Sequence, residues 1–345
     1  MKAIVTDFLG KCRIIDVWKN SVCSVFGGDE NGDSDREWGI GAFLHEDDSS
    51  FFVLHQNGKA SKFDYETETR TNIVTLGEKS SPYHISKFGD QYVGCFKDYI
   101  VTFTEKKKIS SFETVKGSCA SSYNGFAVYG RKDDRTVVYD ISSQKETWIA
   151  SEPPKDELGL SLQDEDRSVL CFSESVFLVG QSEGTVLVYD TRSGNQAACR
   201  FSCFPEFPVV SMKHQNETGV LCGDTVGSLL VCDLKMPENL IVSRRGFVGA
   251  TGGICDIASH STLPIIAALS CDRTIRIYDH IKPQRTPLKI SFSKTKGSTI
   301  HLLQGEMPES DDSENEWAAL PEDNEGIWDD FVPCPQSKIP NKNIE

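Results

Sequence analysis

Twelve cysteines and seven histidines are the side chains of this 345-residue chain best suited to holding a metal or activating a nucleophile. A structural zinc site draws four tetrahedral ligands from two closely spaced pairs. Cys199 and Cys203 stand four apart with His214 nearby, but no second Cys or His pair has such spacing. With no signal peptide at the N-terminus, the cysteines read as reduced and mostly buried thiols, and no metal is expected. The histidines at 45, 55, 84, 214, 260, 280 and 301 are scattered. No nucleophile elbow, phosphate-binding loop, dinucleotide fingerprint or H-E-x-x-H occurs. Asp133-Asp134 and Asp329-Asp330 fall in a turn and in an acidic tail, where solvation explains a carboxylate pair. No enzyme activity and no cofactor or small-molecule substrate is expected.

Four arginines carry more pointed chemistry, because a guanidinium binds phosphate or carboxylate through a fork of donors. Arg276 lies inside an apolar strand pattern, where equivalent positions hold Leu187 and Leu230. A charge so placed needs a partner. That partner is an Asp of the same chain, such as Asp272 or Asp279, or else Arg276 and Arg273 together face a phosphate or an acidic neighbour. Arg244-Arg245, before GFVGATGGI, form the second candidate basic site. Lys106-Lys107-Lys108 reads as an exposed turn.

The elements that must position these groups emerge from one recurrent pattern: a turn residue, alternating β-branched residues, an aromatic, then Asp. It reads RTVVYD (135–140), GTVLVYD (184–190), GSLLVCD (227–233) and RTIRIYD (273–279), with weaker copies KCRIID (11–16) and GKASKFD (58–64). DYIVTFT (98–104) supplies a further copy without the Asp, giving seven at a mean period near 44. That period matches a four-stranded propeller blade. A second β run precedes most copies across a tight turn such as Asn57-Gly58, Glu183-Gly184 or Asp272-Arg273. Alternation sends Val186 and Val188, or Ile275 and Ile277, to one face and the aromatic to the other. A sheet apolar on both faces must be covered on both, which radial stacking achieves. His260, before Ser261-Thr262-Leu263-Pro264, stands where propeller repeats place a histidine that braces a turn. The chain starts at the second strand of blade one, TPLKISFS completes blade seven, and STIHLLQ supplies the missing inner strand. The expected fold is all-β: a seven-bladed WD-repeat propeller over 1–305, closed by strand exchange.

Charge separates this body from the C-terminal segment. Residues 306–345 carry a net −10 of the chain's −15, and 306–332 hold eleven acidic and no basic residues. Such composition predicts a disordered tail and argues against a protein that coats nucleic acid. Trp317, Leu320, Trp328 and Phe331 stand out within it. They read as a short motif that orders on a partner, or as groups that pack back onto the propeller. The segments 28–37 and 151–167 read as solvated loops. No apolar run reaches the length of a membrane span, and no membrane role is expected.

The run 205–280 resembles the ribosome-assembly WD-repeat family of Nop-seven-associated type. The likeness rests on Phe207-Pro208, Gly227 to Leu234, Gly249 to Gly253, and Cys271-Asp272-Arg273 followed by Arg276. Glu316-Trp317-Ala318-Ala319-Leu320 after an acidic run resembles that family's acidic Trp-Ala segment. The chain departs from it in ending at PNKNIE rather than in a Lys/Arg-rich tail, and in carrying Cys271 where Leu is usual. The resemblance implies a nucleolar, hence nuclear, scaffold in large (60S) subunit biogenesis and pre-rRNA processing. It would bind early pre-60S particles, with their assembly factors and pre-rRNA, and be released by an AAA ATPase. An exosome-associated RNA helicase is a further partner implied for the tail, and the protein would be a monomer outside the particle. The alternative is a generic WD-repeat adaptor such as a ubiquitin-ligase substrate receptor.

Overall fold

The computed structural model describes residues 1–7, 11–26, 40–45, 50–64, 67, 69–77, 79–132, 134–152, 164–216, 218–234, 245–247, 249–281, 285–303 and 305. Within them, 28 strands form seven four-stranded antiparallel sheets. The seven copies of the repeat are the third strands of the seven sheets: Cys12–Asp16, Lys59–Asp64, Tyr99–Phe103, Val137–Asp140, Thr185–Asp190, Leu229–Asp233 and Thr274–Asp279. The chain is a seven-bladed β-propeller. No helix among the described residues is long and apolar enough to cross a membrane.

Each third strand has the expected alternation. Ile275 and Ile277 turn toward blade one, while Tyr278 turns toward blade six and packs on Phe247 at 5.1 Å. Val186 and Val188 likewise face blade six and Tyr189 faces blade four. The residue at the aromatic position is buried in all seven blades, as Ile15, Phe63, Phe103, Tyr139, Tyr189, Cys232 and Tyr278. Seven apolar clusters result, one between each pair of neighbouring blades. The motif's terminal Asp has a local task. Its carboxylate accepts backbone N–H bonds that start the next turn: Trp18 for Asp16 (3.1 Å), Thr67 for Asp64 (2.9 Å), Ser142 for Asp140 (2.8 Å) and Ile281 for Asp279 (2.9 Å). This is the side-chain turn to which Asp is suited. Blade three, lacking the Asp, makes a tight turn in which Thr104 N–H donates to Lys107 O at 2.9 Å. Lys106–Lys108 are exposed there, as expected.

Closure is by strand exchange. Gly297–Leu302 pairs with Lys2–Asp7 in the register Ala3 to Leu302, Ile4 to His301, Val5 to Ile300 and Thr6 to Thr299. The first strands of all seven sheets pack successively around the ring, each on the next. Val5, Ile15, Leu269, Ile277 and Ile300 share the cluster that joins blade seven to blade one. Full burial of such side chains stabilises by about 1.5–3 kcal/mol each relative to exposure.

Because the strands alternate in direction, each turn from second to third strand shares one end of the propeller with the connectors between blades. The hydrogen bonds there repeat: Gly58 O accepts from Leu76 N (2.7 Å), Gly184 O from Cys203 N (2.7 Å), Gly227 O from Ala250 N (2.9 Å), and Arg273 O from Ser293 N (2.8 Å). Residues 27–39, 153–163, 235–244 and 306–345 lie outside the described residues, and with them most of both proposed loops and the whole acidic tail.

The interface clusters carry the stability. Tyr278→Ala is expected to cost about 3–5 kcal/mol. Ile290→Ala, on the outermost strand and 50% exposed, is expected to cost no more than about 0.5 kcal/mol. Urea unfolding of the two variants checks the contrast.

Candidate partner-binding face

At the connector end of blades six and seven, Asp224 and Asp272 organise two turns. Asp224 Oδ1 accepts the N–H groups of Val226 (2.9 Å), Gly227 (2.7 Å) and Ser228 (2.7 Å). Gly227 has φ +110°, and a Cβ there would lie 2.4 Å from Ala250 O, so only glycine fits. Asp272 Oδ1 accepts from Thr274 N (2.9 Å), and its Oδ2 accepts from Thr251 Oγ1 (3.0 Å) and Arg276 Nη1 (2.9 Å). Burial pushes the Asp272 carboxyl up, but hydrogen bonds from Thr274 and Arg276 more than offset this and hold it well below the usual carboxylate range. Of the two roles open to Arg276 from sequence, the structure supplies the internal pair, with Thr274 Oγ1 as a second acceptor at 2.6 Å.

Arg273 is placed differently. It is exposed, and its φ is +68°. The matching turn positions in blades two, five and six hold Gly58, Gly184 and Gly227, all with positive φ. A non-glycine residue in this region costs on the order of 1 kcal/mol. The chain thus carries a guanidinium at a position where glycine would be easier to fold. Arg245 lies on the fourth strand of blade six, Arg245–Phe247, paired with Val231; its side chain and all of Arg244 lie outside what the structure describes. Trp317, Leu320, Trp328 and Phe331 are likewise outside the described residues.

The same end of the propeller carries further charge to which no local motif pointed. In blade one, Arg13 Nη1 donates to Asp7 Oδ2 (2.6 Å) and to Thr295 Oγ1 (2.5 Å). Between blades four and five, a cleft of about 400 Å³ is lined by Arg135, Glu152, Asp164, Asp166, Tyr189 and Arg200 among others. Asp166 accepts from Arg131 N (3.1 Å) and Thr136 Oγ1 (2.9 Å). Burial pushes its carboxyl up to about 6 against these lowering bonds. The Asp166 contacts and the Arg13–Thr295 contact join residues at least 30 apart in sequence, so spacing along the chain gave no sign of them.

Several of the thiols and histidines serve packing and turns. Cys203 joins Cys222 and Cys232, not Cys199, in a fully buried trio whose sulfurs lie within 4.8 Å of one another. Hydrogen bonds with the Cys203 and Cys232 thiols, reinforced by burial, push Cys222 well above its ordinary value. The trio sits in the apolar cluster between blades five and six, where thiols fill the space an aromatic fills in other blades. The signal was Cys232 itself, at the aromatic position of its repeat. His214 Nε2 lies 2.9 Å from Cys171 O, and its ring stacks on Phe172 at 4.6 Å. His260 Nδ1 accepts from Thr262 N (3.2 Å) and Leu263 N (3.1 Å), the expected turn brace.

A seven-bladed propeller with an organised, charge-bearing connector end is the class of protein these features define. The chain is 26% identical over 273 residues to a WD repeat-containing protein of Dictyostelium discoideum, covering 75% of this chain and 51% of that one. It is 23% identical over 220 residues to WD repeat-containing protein 74 of Bos taurus, covering 61% and 56%. The chain therefore spans about half the length of the curated relatives it matches. No family profile matches it. Among solved structures, the computationally designed Ika8 protein superposes with a TM-score of 0.60 at 14% identity, covering 88% of each chain. Chaetomium thermophilum Raptor also gives 0.60, at 13% identity over 78% of this chain and 26% of that one. Both show the fold alone.

Two outcomes are expected at this face. Arg273→Gly should leave stability unchanged or raise it by up to about 1 kcal/mol, whereas Asp272→Ala, which strips the buried Arg276 of its partner, should cost about 3 kcal/mol. The pH dependence of Asp166 runs opposite to that of most carboxylates. The folded state keeps its proton up to about pH 6 while an ordinary carboxyl releases it near 3.8, so the contribution of Asp166 to stability is fully present below 3.8 and is lost as pH rises through 6. The loss is on the order of 3 kcal/mol, and Asp166→Asn should flatten the profile between pH 4 and 7 in calorimetry (about the span over which folded and unfolded protonation differ).

Proposed function

We propose that this protein is a non-catalytic scaffold in assembly of the large ribosomal subunit, acting in the nucleolus on early pre-60S particles. One observation carries the reading. Most of the stretches behind the family resemblance, Phe207-Pro208, Gly227, Gly249 to Gly253 and Cys271 to Arg273 with Arg276, lie at the connector end, while Leu229 to Leu234 runs along the blade away from it. Gly227 O accepts from Ala250 N (2.9 Å), Cys271 N donates to Gly253 O (2.9 Å), and Thr251 bonds Asp272, which holds Arg276. Leu229 and Cys232 serve the interfaces between blades, whereas Thr251, Asp272 and Arg273 stand in turns at the surface. Propellers act through such loop faces on a rigid body. WD-repeat relatives support the scaffold part of the reading.

In this reading Arg273, with Arg244 and Arg245, meets pre-rRNA or an acidic neighbouring assembly factor. The acidic tail offers Trp317, Leu320, Trp328 and Phe331 to the AAA ATPase that releases the protein from the particle, or to an exosome-associated RNA helicase. Its carboxylates would steer it toward a basic groove, and the aromatics would supply the burial.

Sedimentation of the tagged full chain from cell extract tests this. The wild type should co-migrate with large-subunit precursors. Arg244→Glu with Arg245→Glu should shift most of it to light fractions, with a melting temperature measured in parallel near that of the wild type. Trp317→Ala with Trp328→Ala should leave sedimentation intact but lose the ATPase or helicase in pull-down. Light sedimentation of the wild type overturns the assembly reading. Unchanged sedimentation after the charge reversal refutes the basic contact alone.

A further inference from the structure

Cys255 and Cys271 lie side by side at the connector end of blade seven, with their sulfurs 3.3 Å apart. Cys255 is the extra residue of a β-bulge: Ile254 pairs with Ser270 and Asp256 with Leu269, so Cys255 has no cross-strand partner of its own. A bulge of this kind re-aims a side chain, and here its sulfur meets that of Cys271. Cys271 follows the second strand into the turn and is exposed, while Cys255 is partly buried.

The backbone around the pair is fixed by bonds that do not involve sulfur. Cys271 N donates to Gly253 O at 2.9 Å, Ser270 Oγ donates to Gly252 O at 2.6 Å, and Thr251 Oγ1 donates to Asp272 at 3.0 Å. A disulfide needs an S–S distance of about 2.05 Å. The sulfurs must therefore approach by little more than about 1 Å, which rotation about Cα–Cβ supplies with the chain held still. The other close thiols differ. Cys203 and Cys232 are 3.7 Å apart but fully buried in an apolar interface that no reagent reaches.

We propose that Cys255 and Cys271 are a modification site, a dithiol that a hydroperoxide converts reversibly to a disulfide. Cys271, the exposed thiol, reacts first: its sulfur bonds to the distal peroxide oxygen and the O–O bond breaks. Cys271 is oxidised to the sulfenic acid, and the peroxide is reduced, leaving as water or an alcohol with the thiol proton. Cys255 sulfur then bonds to Cys271 sulfur, the S–O bond breaks, and the departing hydroxide takes the Cys255 proton as water. Two thiols and one hydroperoxide thus give one disulfide, one water and one alcohol, or two waters from hydrogen peroxide. Burial, reinforced by the neighbouring Cys271 and opposed in part by Lys296, pushes the Cys255 thiol up to about 12, so the exposed Cys271 is the thiol that meets the peroxide. The product would staple the connector at Gly252-Gly253 to the turn that presents Arg273.

The test treats the purified, reduced full chain with hydrogen peroxide, blocks remaining thiols with N-ethylmaleimide, and analyses non-reduced peptides by mass spectrometry. The expected product is a 255–271 cross-linked peptide two hydrogens lighter than its parts, with labelling of both thiols at least about tenfold lower until dithiothreitol restores it. In Cys255→Ser, Cys271 should accumulate as a dimedone-reactive sulfenic acid with no cross-link. The wild-type measurement does not depend on that variant's folding. Oxidation of Cys271 beyond the sulfenic acid without the cross-link, or a cross-link only to a cysteine of a second chain, overturns the proposal.

Discussion

A four-stranded sheet that is apolar on both faces is stable only between two others of its kind. That constraint governs this molecule. Within any one blade, the third strand sends Ile or Val to one neighbour and an aromatic to the other, as with Ile277 and Tyr278. No blade can bury both faces alone, and a row of blades would leave two faces wet. Joining the row into a ring removes them. The joint is the pairing of Gly297–Leu302 with Lys2–Asp7, backed by the cluster around Val5, Leu269 and Ile300.

How much of this could be read from the chain depended on how local each feature is. The third strands were legible because one strand and its turn contain the whole pattern: alternation, an aromatic facing back, and an Asp that caps the next turn. Blade three was recognisable by alternation although Thr104 replaces the Asp. Closure was legible because one β run was left over at each end of the count. Arg276 was legible as a charge in an apolar strand that needs compensation, but whether an Asp such as Asp272 or an outside partner supplies it was not, because that depends on how the turn folds. Contacts between blades were not legible. Nothing in the spacing of Cys203, Cys222 and Cys232, or of Asp166 and Arg131, says that blade stacking will bring them together. Cys255 and Cys271 escaped notice for a different reason: their meeting depends on a bulge, which strict alternation does not contain.

The two ends of the propeller divide the work. At the connector end, the second-to-third turns of blades two, five, six and seven receive hydrogen bonds from the connector beside them, so the surface there is rigid through its backbone and variable in its side chains. The turn residue can change from Gly184 to Arg273 without altering the bond its carbonyl accepts. Such a surface can gain a contact residue at a small local cost in backbone energy and with no repacking of the core. At the opposite end, groups such as His260 and Asn216 spend their acceptors on the adjoining main chain, Asn216 Oδ1 taking the N–H groups of Thr218 (3.0 Å) and Gly219 (2.6 Å).

The bulge at Cys255 belongs to a series. One extra residue interrupts the first strand at its connector end in six blades, at Gly41, Tyr83, Arg167, Val210, Cys255 and Ser298. Elsewhere in a strand, adding or deleting one residue inverts every side chain beyond it, exchanging the two neighbours each blade must satisfy. A bulge absorbs that parity error, since beyond it the inner strand resumes its phase. The inner rim of the ring is therefore one place where the chain tolerates a change of length by one residue. Drift in length among related propellers should collect there and at the single-residue bulges of four outermost strands, at Cys23, Ile73, Ile109 and Thr147.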